Sequence, residues 1–127
     1  MNKVQRLQYM IAAVFLILGG WCLVWPSSVI ALTVRPEYQT DHMLALVSLG
    51  AFGAQAVLAG LFAAFSQFTQ RTFAAFGISI LPFFVFDWWF YAVVPLFNEL
   101  ILLDALGNVI FIAICMRGYL ALRSRAA

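Results

Sequence analysis

Residues Phe83–Asp104 read FFVFDWWFYAVVPLFNELILLD. One apolar segment leaves the membrane at Pro95 and another re-enters around Leu100, and each carries one carboxylate, Asp87 or Asp104. An ionisable group inside an apolar span is costly to keep, so both acids are candidate site residues. Working outward, the same alternation of apolar runs and short polar turns continues to both ends of the chain.

Of 127 residues, 65% are hydrophobic and only 9% charged, and the mean hydropathy is +1.00. A soluble domain carries about a quarter of its residues as charges, so the apolar excess here must face lipid. No basic stripe or soluble module marks a nucleic-acid binder. Two cysteines, Cys22 and Cys115, are too few for a disulfide framework and read as packing residues.

Lys3 and Arg6 precede an uncharged run from Leu7 to Val34, long enough to span about 30 Å of hydrocarbon. The basic start imitates a signal peptide, but no small-x-small cleavage site follows, so an uncleaved helix over 8–25 is expected. Pro26 ends or bends it, and Trp21 and Trp25 suit the outer interface. Ser27–Val34 fits a short helix on the membrane surface, followed by an extended turn at Arg35–Pro36. Thr40 is the expected N-cap of a second helix over 43–65. A third helix is expected over 72–94, kinked at Pro82, and a fourth over 100–120.

Six of the seven basic residues (Lys3, Arg6, Arg71, Arg117, Arg123 and Arg125) fall on one side of this topology. Arg35 and all five acids fall on the other. The positive-inside rule then puts both termini in the cytoplasm. The expected fold is all-α: one polytopic, antiparallel four-helix transmembrane bundle of the inner membrane.

Within the second helix, Gly53, Ala56, Gly60 and Ala63 form a small-residue stripe that predicts a helix-packing seam, within the chain rather than between copies. Gln55 beside it needs a hydrogen-bond partner. Asp87 lies sixteen residues from Arg71 and Asp104 thirteen from Arg117. At 1.5 Å per residue these are about 24 and 20 Å, so the two carboxylates share a depth. Trp21 and Cys22 reach the same level, whereas Cys115 lies near the cytoplasmic end. Asp104, Gly107, Asn108, Phe111, Cys115 and Gly118 line one helical stripe expected to face the bundle interior. Asp87 and Tyr91, one turn apart, are expected to share a face. Asp87, Asp104, Asn108, Tyr91 and Gln55 are therefore the ligand or cation candidates, with Glu37, Asp41, His42 and Glu99 on the outer rim.

Four readings of the acids stay open. They knit the bundle by hydrogen bonds, bind a cation, perform acid–base chemistry on a lipid-soluble substrate, or line a transport path. With no basic residue inside the span, both cannot ionise cheaply, and at least one is expected to hold its proton unless a cation is bound. No motif such as HExxH is present, and no catalytic residue, metal or cofactor is assigned.

WPSSVIAL after the first helix, GAFGAQAVLAGLF in the second and the basic turn into FAAFG of the third carry a resemblance. In this layout the chain resembles the DoxX-like group of small bacterial four-helix membrane proteins. It departs from that group's pattern where Met43–Ala54 is uncharged. The resemblance bears on fold more than on function, and an accessory subunit is the role it implies. The expected function is a non-enzymatic accessory or assembly protein whose partners are the lipid bilayer, further copies of itself or other membrane subunits.

Overall fold

A computed structural model describes residues 1–126. The protein is all-α: α1 (Lys3–Val24), α2 (Pro26–Thr33), a single 3-10 turn (Pro36–Tyr38), α3 (Met43–Phe65), α4 (Gln70–Trp88) and α5 (Ile101–Ala126). A π-helical turn, Trp89–Val93, extends α4. Four helices, with α4 counted through that turn, are long and apolar enough to cross a membrane. They form an antiparallel bundle with the N-terminus, the α3–α4 turn and the C-terminal segment at one end.

Helix ends follow local capping chemistry. α1 starts earlier than hydropathy predicts because Asn2 and Gln5 form a reciprocal capping box, Asn2 Oδ1 accepting from the Gln5 amide at 2.8 Å. Thr69 and Thr72 cap α4 in the same way. The cap of α3 is His42, not Thr40: its Nδ1 accepts from the Leu44 amide at 3.2 Å, and Thr40 Oγ1 in turn accepts from the His42 amide. Pro26 occupies the first turn of α2, where its missing N–H breaks no helical bond.

α1 packs most extensively against α3, α4 against α5, and α1 joins the two pairs through α5. Lipid offers no hydrophobic drive between helices, so close backbone approach has to supply the contact. The expected seam faces α1, with Gly53, Gly60 and Ala63 buried and Ala56 half-buried. Its counterpart is Gly19. A methyl group on Gly53 would lie 2.5 Å from Gly19 O and Leu23 N; one on Gly60 would meet the Leu16 side chain at 2.8 Å and the Leu16 backbone N at 3.1 Å. On the other pair, the Phe73 ring covers Gly118, and Gly77 faces Cys115.

Phe68 lies in the turn SQFTQRT, which sequence reads as polar, yet it is 5% exposed. Its ring stacks on Phe76 at 5.4 Å and meets Phe73 edge-on at 4.9 Å. It closes the core formed by Leu7, Ile11, Ala63, Phe73 and Phe111. Beside it, buried Gln8 of α1 donates from Nε2 to Ala63 O and Ser66 O, both at 2.7 Å. Gln8 thus takes up carbonyls that the last turn of α3 leaves without helical partners.

Gly53 and Gly50 separate close approach from mere glycine content. Gly53→Ala pushes a methyl group into backbone that cannot swing aside and is expected to destabilise the protein by about 1–3 kcal/mol. Gly50→Ala has nothing within 4 Å and is expected to leave stability unchanged. Thermal unfolding in mild detergent checks both, and a Gly53→Ala midpoint equal to the parent's would exclude the α1–α3 approach.

Candidate functional site

Asp87 closes the last regular turn of α4 and is 4% exposed. Asp104 occupies the first turn of α5, where the helix N-terminus favours an acid, and is half-buried. Asn108, one turn further along α5, donates from Nδ2 to Asp87 Oδ2 at 3.2 Å and to Asp104 Oδ2 at 3.5 Å. Both carboxyl groups thus meet the same Asn108 amide. Cys22 of α1 and Cys115 of α5 are buried free thiols. The cluster therefore joins α4 to α5, with an amide able to donate two bonds and two carboxyl groups able to share one proton or hold a cation.

Of the residues sequence nominates, the fold brings together Asp87, Asp104 and Asn108. Tyr91 is diverted. The π-helical turn, closed by Val94 N donating to Trp89 O at 2.8 Å, changes the register just past Asp87. The Tyr91 ring instead lies under the Arg35 guanidinium, 5.6 Å from its centroid. Gln55 is exposed on α3 and makes no side-chain hydrogen bond among the described residues, so it does not join the cluster. Along the α5 stripe, Phe111, Cys115 and Gly118 are buried, whereas Gly107 is exposed. Glu37, Asp41, His42 and Glu99 are all exposed, and His42 is committed to its cap.

Sequence reading missed a clamp at this end of the bundle. Arg35 Nε donates to Phe97 O at 2.7 Å and Nη2 to Tyr91 O at 3.4 Å. Its backbone amide donates to Leu96 O, and the Asn98 amide returns a bond to Thr33 O, making an antiparallel bridge at Val34 and Phe97. Asn98 Nδ2 adds a bond to Leu32 O at 2.7 Å. The signal available was the single basic residue on the acidic side.

Two cavities lie elsewhere. One of about 310 Å³, at the end with the termini, is lined by Asn2, Gln8, Ser66, Phe68 and Arg125 among others. The other, about 300 Å³ and apolar, opens between α4 and α5 around Gly77, Ile112 and Cys115. Neither is lined by Asp87, Asp104 or Asn108. Among the described residues no group of three or more His, Cys, Asp or Glu side chains is placed to hold a metal ion.

Fold and cluster together define a multi-pass membrane protein, a helical bundle with a carboxyl–amide knot near one end. No protein-family model matches the chain, and neither a curated protein nor a solved structure matches it.

Asn108 is the donor that the knot depends on. Asn108→Leu strands two carboxyl groups without their amide and is expected to cost about 1–3 kcal/mol of stability. Most of that loss should disappear in the background Asp87→Leu, where the acceptor is gone as well. A double-mutant cycle on thermal unfolding measures the coupling, expected at about 0.5–3 kcal/mol for residues in direct contact. Strict additivity would mean that Asn108 and Asp87 do not interact.

Proposed function

We propose that the protein is a small accessory or assembly protein of the bacterial inner membrane, acting through helix packing in an oligomer or a larger membrane complex. The observation that carries this reading is the Asn108 bridge: its amide ties Asp87 to Asp104 and thereby α4 to α5. A polar group in lipid is most useful where it finds its partner inside the bundle, and these groups do. The large share of apolar surface on the long helices agrees with further helix contacts in the membrane. On the stretches quoted for the resemblance, we also propose kinship with the DoxX-like group.

A second reading is favoured by one feature, the half-buried Asp104 near the end of the bundle opposite the termini. Here the pair would serve a cation, as a binding or transport site, or acid–base chemistry on a lipid-soluble substrate. Asn is nearly isosteric with protonated Asp and keeps both hydrogen-bonding senses, but it never carries negative charge. Under the assembly reading, the double variant Asp87→Asn, Asp104→Asn folds and assembles like the parent, while Asp→Leu at either position damages both. Thermal stability with and without added divalent cations, together with the assembled mass in mild detergent, checks this. A double Asn variant that folds normally yet loses a cation-induced stabilisation seen in the parent would replace the assembly reading with the second one.

We further propose that both termini face the cytoplasm, because the basic residues collect at that end. Ser124 is exposed in the last turns of α5, so a cysteine placed there reports the side. Ser124→Cys is expected to resist an impermeant thiol reagent in intact cells and to react after lysis. Labelling from outside would invert the topology.

A further inference from the structure

α3 buries one face against α1 and leaves the opposite face uncovered. On that face Ser48, Ala51, Gln55, Leu58, Phe62 and Phe65 follow one another at steps of three and four, and all six are exposed. This is the spacing of the a and d positions of a heptad, the pattern by which two helices pack side by side with a shallow left-handed crossing. Twelve residues separate Gln55 from Met43 and ten separate it from Phe65, the ends of α3. At 1.5 Å per residue it lies about 18 and 15 Å from the two ends, in the middle of the hydrocarbon. The Ser48 hydroxyl is satisfied within its own helix, donating to Leu44 O at 2.7 Å. The Gln55 amide has no partner among the described residues, at a depth where lipid supplies none.

We propose that a second copy of this chain covers the face, so that two α3 helices pair in parallel about a twofold axis along the membrane normal, with Gln55 hydrogen-bonded to Gln55 of the other copy. Copies inserted with one topology carry α3 in the same direction, so a twofold pair brings each seam residue opposite itself. A primary amide has a donor and an acceptor on one group, which makes it complementary to its own image. The partner chemistry is therefore already present in the sequence. One polar residue on an otherwise apolar seam also sets register, the role best attested for an amide at a heptad a position. Gly53 and Gly60 are not available for this contact because α1 occupies them.

The inference specifies the partner in the assembly reading above, and the two fail separately. In a Cys22→Ala, Cys115→Ala background, single cysteines are placed on the seam (Ala51→Cys, Leu58→Cys) and on the exposed flank of the same helix (Ala54→Cys, Leu61→Cys). The purified protein is reconstituted into phosphatidylcholine vesicles and oxidised. Seam positions are expected to form a disulfide-linked dimer and flank positions little or none. Gln55→Leu, at an exposed position that makes no side-chain hydrogen bond among the described residues, is expected to keep the parent's unfolding midpoint. It should weaken dimerisation about five- to thirtyfold, the range for an interhelical amide bond in lipid. Crosslinking that is equal on seam and flank, or absent from both in folded protein, overturns the proposal, as does unaltered dimerisation of Gln55→Leu. In native membranes, seam cysteines that link only to a different polypeptide overturn the second copy as occupant while leaving the assembly reading standing.

Discussion

Inside a bilayer, a backbone carbonyl with no donor has no water to fall back on, and this constraint organises the molecule. Helices satisfy it along their length but release carbonyls at their C-terminal ends. Long polar side chains on other elements meet several of those groups. Gln8 reaches from α1 to the last turn of α3, and Arg35 reaches from the α2 segment to Tyr91 O and Phe97 O beyond α4. Each bond also fixes one helix end against another part of the chain. The same reasoning accounts for the charge pattern. Arg35 is the one basic residue on the acidic side, and its guanidinium is held by carbonyls and an aromatic face rather than left free.

Packing between helices follows from the same solvent. Where lipid is as apolar as a side chain, helices associate through close contact, and glycine permits the closest. Gly19 and Gly53 let α1 and α3 touch backbone to backbone, while Gly118 accepts the Phe73 ring between α4 and α5. The two pairs differ in what else holds them. α4 and α5 also carry the Asp87–Asn108–Asp104 knot, whereas α3 has its seam, the Gln8 cap and little else.

Much of this was legible in the residues, because hydropathy and charge report the solvent directly. The α3 boundaries, the seam on Gly53, Gly60 and Ala63, and the common depth of Asp87 and Asp104 all follow from counting at helical spacing. What counting missed depends on local geometry or on contacts distant in sequence. Gln5 and Asn2 extend α1 through a capping box that hydropathy does not see. Phe68 sits in a polar turn and is buried only because the turn folds over Phe73 and Phe76. A π-helical turn adds one residue past Asp87 and moves Tyr91 out of the stripe on which straight-helix counting places it. Gln55 is a different case. The Gly53 and Gly60 phase already put it away from the seam, so its lack of an internal partner was readable from the wheel alone.

The polar groups of the membrane interior therefore divide into two kinds. Asp87, Asp104 and Asn108 close on one another where α4 and α5 meet, and α3 contributes nothing to that knot. Gln55 belongs to α3, outside the knot, and faces away from the bundle. An amide at mid-bilayer is as costly to leave unpaired as an amide in any apolar core. The position of Gln55 on the open face sets it apart from the interactions that make the bundle.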